Sequence, residues 1–190
     1  MENDCLFSAE SILIYSPVFE LIETYIRAYF RDKVVMEIAK SGIPFDIYGW
    51  KSEEIGRYDN VTLKEPVDFE EMLEICRHTR FVLNVQPWSK DGVQERVFNA
   101  MFGGSISVTD VSDLLENDYE DEKSILFYRL DKIYELPEKV LYYIEHTEAA
   151  AAIAREGYKV TNEKPTWENY VRDMIEMFNM QNDKGEEICK

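Results

Sequence analysis

The stretch FVLNVQPWSKDGVQERVFNAMFGGSISVTD, from Phe81 to Asp110, decides the fold that this sequence predicts. It opens with an apolar run typical of a buried strand, passes through a polar loop into a helix ending at Gly-Gly, and closes with a second apolar run. A strand–loop–helix–strand unit brings its loop and its helix N-terminus to the carboxyl edge of a parallel sheet. Open α/β sheets bind their ligands at that edge. The stretch therefore predicts a fold class and the position of a site.

The rest of the chain repeats this alternation of strands and helices. Short apolar runs predict strands at Ser11–Phe19, Pro44–Tyr48, Val61–Leu63, Phe81–Val85, Ser105–Thr109 and Ser124–Tyr128. Apolar residues three or four positions apart predict helices at Glu20–Ser41, Phe69–His78 with an Asp68 cap, Gln94–Phe102, Val111–Asn117, Leu136–His146, Thr147–Tyr158 and Thr166–Gln181. This order predicts an α/β, Rossmann-like parallel sheet of about six strands with helices on both faces.

A single domain accounts for a chain of 190 residues. We expect residues 1–10 to form a polar lead-in, residues 11–181 a single Rossmann-like domain that ends in a helix, and residues 182–190 a polar tail. No internal repeat and no Gly/Ser-rich linker divides the sequence.

Charge and cysteine content restrict the partners and the compartment. With 38 acidic and 21 basic residues, the net charge of -17 argues against nucleic acid, which is bound through clusters of Lys and Arg. The sequence has no apolar stretch of membrane-spanning length and no signal-peptide pattern. Three isolated cysteines and two isolated histidines predict a reducing compartment, by default the cytoplasm, and no metal site.

Familiar phosphate-binding and catalytic motifs are absent from this sequence. Neither G-x-G-x-x-G nor G-x-x-x-x-G-K-[ST] occurs, which argues against a dinucleotide site and a P-loop. A receiver domain would need an acidic pair after its first strand, where this chain has Tyr15 and Ser16. No Ser/His/Asp or Cys/His set can be assembled, so the catalytic residues are unknown.

Polar residues and glycines cluster around the fourth and fifth predicted strands: Asn84, Asp91, Glu95, Arg96, Asn99, Gly103 and Gly104. A helix N-terminus next to an arginine favours an anion, and an asparagine amide one turn later can bond a sugar hydroxyl. A purely structural interpretation stays open. Glu95 suits the helix dipole at this position, and the two glycines suit the end of a helix.

The segment QERVFNAMFGGSISVTD resembles the R-V-F-E-A-x-A-x-G-x-x-x-x-T-D stretch of group 1 glycosyltransferases, in particular the spore-maturation glycosyltransferase-like branch. RDKVVMEIAKSGIPFDIYGW resembles that branch's Arg-initiated helix and its I-Y-G strand, and FVLNV its L-N strand. AAIAREGYKVTNEKPTWENYVRDMI is similar to its closing element, with Pro165 where the family has His. The resemblance extends from Ser11 to Phe178 in the same order of blocks.

This resemblance implies one half of a GT-B fold, the C-terminal domain that binds the nucleotide sugar. Arg31 and Arg96 would lie at the diphosphate, and Tyr48 and Gly49 beside the nucleoside. Asn99 falls at the second Glu of the family's E-x7-E pair, next to the ribose, and Asp91 at the first, near the donor sugar. Gly103 and Gly104 would permit close approach. An amide at position 99 predicts altered ribose contacts.

The function implied by the resemblance is glycosyl transfer from a nucleoside-diphosphate sugar to an unknown acceptor. The nucleotide sugar would be a substrate, and no cofactor is expected. Since only one GT-B half is present, we expect turnover to need an N-terminal acceptor domain or a separate partner chain. The alternative is a non-catalytic Rossmann-like module that binds a nucleotide or a protein.

Overall fold

Parallel strands alternate with helices in a computed structural model, which describes residues 9–88, 91–163 and 175. The strands are β1 (Phe45–Tyr48), β2 (Val61–Lys64), β3 (Phe81–Leu83), β4 (Ile106–Asp110) and β5 (Leu126–Tyr128). The helices are α1 (Ala9–Lys40), α2 (Phe69–His78), α3 (Glu95–Phe102), α4 (Asp113–Asp118), α5 (Leu136–Glu145) and α6 (Thr147–Asn162), and short 3₁₀ turns span Ile55–Arg57 and Ile133–Glu135.

The strands form two small parallel sheets. In one, β1 pairs with β2, with Phe45 opposite Val61; in the other, β4 lies between β3 and β5, with Val108 opposite both Leu83 and Leu126. The α/β class and the parallel pairing are therefore confirmed. The expected sheet of about six strands is wrong for the described residues, which form sheets of two and three strands.

The missing strand is the predicted Ser11–Phe19, which lies inside α1 instead. Periodicity alone does not separate a short apolar strand from a buried or docked helical segment. Pro17 lies inside this helix, although a proline in a helix interior removes one backbone hydrogen bond and favours a kink or a break. The helical pattern that begins at Glu20 continues backward through it.

The other predicted elements are confirmed with small shifts at their ends. Asp68 caps α2 as expected, and its carboxylate accepts the Glu71 N–H at 2.9 Å. The helix predicted from Val111 begins at Asp113, because the Ser112 hydroxyl accepts the Leu115 N–H at 3.4 Å and so caps it. The predicted helix Thr166–Gln181 and the tail 182–190 lie outside the described residues, apart from Ile175. Of the lead-in, residues 9–10 belong to α1.

Apolar side chains pack on both faces of the β3–β4–β5 sheet. Successive residues of a strand point to opposite faces, and in β5 Leu126 and Tyr128 join one cluster while Phe127 joins the other. The first cluster includes residues of α1, α5 and α6, and the second includes residues of α3 and α4. Helices on both faces are thus confirmed for this sheet.

Among the α1 residues whose burial is described, 14–40, those in the core lie in the C-terminal part of the helix. Val34, Val35, Ile38 and Ala39 are buried, whereas eight large apolar residues earlier in the helix are 39–70% exposed. We call this stretch, residues 14–29, the apolar arm; its exposed members are Ile14, Tyr15, Val18, Phe19, Leu21, Ile22, Tyr25 and Tyr29. Within the described part of the chain, no helix is long and apolar enough to span a membrane.

Substitution of Gly157 tests how closely α6 packs on the sheet. A Cβ at this position would overlap the Ser124 carbonyl oxygen and lie 3.4 Å from the Met101 sulfur. In an open helix, Gly→Ala stabilises by up to about 1 kcal/mol. Here we expect Gly157→Ala to lower the free energy of unfolding by about 1–3 kcal/mol, because α6 must move away from its neighbours. Urea unfolding measures the change.

Ala152→Gly, at an exposed position of the same helix, is the control. It should lower the free energy of unfolding by about 1 kcal/mol through helix propensity alone. A Gly157→Ala protein more stable than the parent would contradict this packing.

Candidate functional site

A buried polar network occupies the carboxyl edge of the β3–β4–β5 sheet. Asn84 and Gln86 follow β3, and Thr109 and Asp110 end β4; each is at most 1% exposed. The Asn84 side-chain amide donates to Thr109 Oγ1 at 3.1 Å and to Gln86 Oε1 at 3.3 Å. Buried polar groups are retained where they are hydrogen-bonded, so these contacts fix the strand ends relative to one another.

Asp110 connects this network to the main chain. Its carboxylate accepts the Gln86 backbone N–H at 2.6 Å, a short charge-assisted hydrogen bond. On the next strand, the Tyr128 hydroxyl donates to the Asn84 carbonyl oxygen at 2.7 Å. Burial, followed by the adjacent Asp110 carboxylate, raises the pKa of Tyr128 well above its ordinary value. Tyr128 therefore stays protonated and remains a donor.

The Gln86 side chain joins the strand edge to the start of α3. Its Oε1 accepts the Gln94 backbone N–H at 2.9 Å, and its Nε2 donates to the Gly92 carbonyl at 3.1 Å. Gln94 is the last residue before α3 and has extended backbone angles. The buried Gln86 side chain consequently holds the N-terminus of α3 in position.

Two arginines bring positive charge to the region of the first turn of α3. Arg96 lies in the first turn of α3, and Arg31 approaches it from α1. Although Arg96 reaches solvent, desolvation by the surrounding protein lowers its pKa, and the positive charge of Arg31 lowers it further. An arginine side chain keeps its positive charge at neutral pH. Two like charges from different elements therefore lie close enough to interact.

Carboxylates do not neutralise this pair in the described residues. Neither arginine forms a salt bridge there, whereas Arg27 pairs with Glu23 at 3.4 Å and Arg77 with Glu74 at 2.9 Å. Asp32 follows Arg31 in sequence, but its pKa is raised: burial raises it more than Arg31 lowers it. The arrangement is thus suited to an external anion, which would bind two cations and the free N–H groups of the helix start.

Trp88 links the loop after β3 to α1. The Arg27 guanidinium lies 4.2 Å from the centre of the Trp88 ring, a cation–π contact. Because Trp88 comes shortly after the carboxyl end of β3, the Arg27 turn of α1 stands at that same edge of the sheet. The 18 residues of α1 before Arg27 therefore extend about 27 Å beyond the contact, at 1.5 Å per residue.

Asn84 is connected through Gln86 to the residue before α3, the helix that carries Glu95, Arg96 and Asn99, and Arg31 lies close enough to Arg96 for their charges to interact. Glu95 is exposed in the first turn, and Asn99 is half-buried one turn further along. Asp91 is exposed in the segment that leads to α3. Their roles toward a donor remain predictions.

The remaining predicted residues lie in other elements or at the other end of α3, and their roles toward a donor also remain predictions. Tyr48 and Gly49 end β1 in the other sheet, where the Tyr48 hydroxyl bonds the Lys64 ammonium at 3.2 Å and a Cβ on Gly49 would lie 3.2 Å from that of Pro66. Gly103 and Gly104 stand at the far end of α3. A Cβ at Gly103 would come within 3.0 Å of Cys76, so helix packing already requires glycine there, and Gly104 has φ +84.

Sequence reasoning did not select Gln86, Asp110, Tyr128 or Arg27 as site residues. Asp110 carried a usable signal, since it is a charged residue directly after the apolar strand ISVT. The bonds made by Gln86 carried none. They join a side chain to backbone groups six and eight residues later, and one sequence does not reveal such a pairing.

A family model described as glycosyl transferase-like matches residues 27–176. This match covers most of the chain. The chain belongs to the glycosyl transferase-like family. The family resemblance inferred from the sequence is confirmed at this level, while the spore-maturation branch is not. No curated protein matches the chain.

Solved structures give the same fold at low identity. HepE of Anabaena, in complex with UDP-glucose, superposes with a TM-score of 0.62 at 12% identity, over 77% of this chain and 44% of HepE. Sucrose-phosphate synthase of Thermosynechococcus elongatus gives 0.64 at 13% identity, over 80% of this chain and 42% of the enzyme.

A third relative is the C-terminal domain of the group 1 glycosyl transferase LpcC from Francisella tularensis. It superposes with a TM-score of 0.50 at 15% identity, over 59% of this chain and 57% of that domain. The present chain therefore spans less than half of HepE and of the synthase, and has the fold of a GT-B C-terminal domain.

Replacement of Tyr128 by Phe tests the buried network. The change removes the hydroxyl that donates to the Asn84 carbonyl and leaves buried polar groups with fewer partners. We expect a loss of about 1–3 kcal/mol in the free energy of unfolding, measured by urea titration. Tyr134→Phe, at a position 67% exposed, should stay within about 0.5 kcal/mol of the parent. Equal effects of the two changes would refute the network's role.

Proposed function

We propose that this chain is the nucleotide-sugar-binding domain of a glycosyltransferase, with the donor diphosphate at the N-terminus of α3. The observation that carries the proposal is the proximity of the Arg31 charge to Arg96, in the first turn of α3, with no carboxylate salt bridge to either arginine in the described residues. A diphosphate can accept from both guanidinium groups and from the first N–H groups of the helix. Its charge would remove the repulsion between the two arginines.

Two further points support a nucleotide sugar over other anions. The chain belongs to a glycosyl transferase-like family, and HepE, which shares the fold, has been solved with both UDP-glucose and UDP. Asn99 lies one turn beyond Glu95 on α3, at a distance along the helix that suits a sugar hydroxyl next to the diphosphate. Tyr48 and Gly49, at the end of β1, are proposed to border the nucleoside.

The chemistry proposed for the site is stabilisation of a leaving group. When a glycosidic bond to the diphosphate breaks, negative charge grows on the departing oxygen. Two arginines and a helix N-terminus that are already in place stabilise this charge more strongly than water, which would have to reorganise. The proposal needs no cofactor, and it places the reaction in the cytoplasm.

A second domain is part of the proposed enzyme. The apolar arm of α1 extends beyond the ligand edge and exposes on the order of several hundred Å² of apolar surface, a size typical of interaction sites. We propose that the acceptor-binding domain, from the same protein or from a partner chain, packs on this arm and closes over the donor. This assignment agrees with the 42–44% coverage of the larger relatives.

Donor binding is tested by thermal unfolding with UDP-, GDP- and ADP-linked sugars. At a hundredfold excess over Kd, one donor should stabilise the chain by about 2.7 kcal/mol. That corresponds to a rise in Tm of roughly 5–10 °C for a domain of this size. Arg96→Ala and Arg31→Ala should each remove most of the rise, because each deletes a phosphate contact.

Arg77→Ala is the matched control, since Arg77 is an exposed arginine in the last turn of α2 and is paired with Glu74. It should leave the rise unchanged. If none of the three donor classes shifts Tm, or if Arg77→Ala abolishes the shift as fully as Arg96→Ala, the proposed site is wrong.

Turnover tests the need for a second domain. The chain as it stands is expected to bind the donor but not to release nucleoside diphosphate from it, because nothing holds an acceptor or excludes water on the open side of the site. Release is measured with radiolabelled donor at protein concentrations well above Kd. Steady release by the chain alone, abolished by Arg96→Ala, would show that one domain suffices.

A further inference from the structure

Gln86 is buried without being part of the apolar core. It is 0% exposed, and its backbone N–H is already held by Asp110 at 2.6 Å. Burial of a primary amide is unfavourable unless its donors and acceptor are used. At this position the amide N–H and C=O groups of Gln86 form hydrogen bonds with the residues that lead into α3.

The two side-chain bonds contact main-chain groups two residues apart. Oε1 accepts from the Gln94 N–H at 2.9 Å, and Nε2 donates to the Gly92 carbonyl at 3.1 Å. The amide thereby accepts from one backbone N–H and donates to one backbone carbonyl of the segment 92–94. A paired strand would use the same two kinds of backbone group, but this segment belongs to no sheet. Gln94 has no side-chain cap bond of its own, so these contacts act on the backbone directly.

Asn84 determines which way the Gln86 amide faces. Its Nδ2 donates to Gln86 Oε1 at 3.3 Å, and the same oxygen receives the Gln94 N–H. Two donors at one atom identify that atom as the oxygen, since an amide nitrogen there would present hydrogens to both. The Asn84 amide also donates to Thr109, so Thr109 at the end of β4 helps to orient Asn84 and, through it, the Gln86 amide.

We propose that Gln86 is a positioning residue for the donor site: its amide fixes where the α3 N-terminus points, and with it the phosphate-binding N–H groups and Arg96. This inference rests on the proposed function. The Gln86 side chain is fully buried and bonded to Gly92 and Gln94. It acts through Gly92 and Gln94, and neither Leu nor Glu can reproduce both of its bonds at neutral pH.

Gln86→Glu provides the discriminating experiment. An ionised glutamate accepts the Gln94 N–H but cannot donate to the Gly92 carbonyl, while a protonated glutamate restores one donor and one acceptor. Burial beside Asp110 should raise the pKa of the introduced carboxyl above its ordinary ~4.3. At about pH 8 we expect donor affinity roughly tenfold or more below the parent, and at about pH 5 recovery to near the parent value.

A second readout needs no nucleotide. In a Trp50→Phe/Trp167→Phe background, Trp88 is the single tryptophan, and its stacking under Arg27 reports the loop after β3. Its emission in Gln86→Glu should change between pH 8 and pH 5 along the same profile as affinity. Gln86→Leu should show altered emission and weak binding at both pH values.

The parent in the same tryptophan background, measured at each pH, corrects for any effect of pH on the rest of the protein, including the charged and polar groups that face this region: Asp110, Tyr128, Asp91, Glu95, Arg31 and Arg96. The inference would be overturned if Gln86→Leu had the donor affinity and Trp88 emission of the parent. It would also be overturned if Gln86→Glu lost the same amount of donor affinity at pH 5 as at pH 8. If Gln86→Leu does not fold, the pH profile of Gln86→Glu decides. If the parent binds no donor, the proposed function fails, and the Trp88 emission profile still decides whether Gln86 positions this segment.

Discussion

The hydrogen bond from the Gln86 N–H to the buried Asp110 carboxylate joins the ends of two neighbouring strands, and the candidate site extends outward from it. A buried carboxylate is tolerable only when polar groups surround it, and here the Gln86 main-chain N–H donates to it. Through Gln86 and Asn84 the same constraint reaches the segment before α3. The position of the exposed Arg96 on α3 thus depends on this buried hydrogen-bond network.

Local and overall charge have opposite signs in this protein. The chain carries -17, yet two positive charges, Arg31 and Arg96, lie close enough to interact at the first turn of α3. A field of that overall sign repels nucleotides at long range, so attraction has to come from contacts within a few ångströms, where screening by salt is weak. Such a surface discourages nucleic acid while leaving a small anion site intact.

The sequence was sufficient to predict the parallel α/β fold, five of the strands and the carboxyl edge at which Asn84 and Arg96 lie. It misassigned Ser11–Phe19, because a short apolar run before a proline looks the same whether it pairs with a strand or continues a helix. Arg31 came from family resemblance and stands near Arg96, although 65 residues separate them. The Gln86 contacts depend on loop geometry, which residue types alone do not encode.

Helix α1 also has a mechanical consequence. Its 32 residues form a rod of about 48 Å, in which the C-terminal end is packed in the core and the apolar arm is exposed. A continuous helix is stiff, so a domain attached to the apolar arm would move together with the whole of α1. A small rotation of α1 relative to the sheet would therefore become a larger displacement of that domain. The one weak point is Pro17, where a main-chain hydrogen bond is lost. Bending there would reorient whatever the first turns hold while leaving Arg27 and Arg31 fixed on the site.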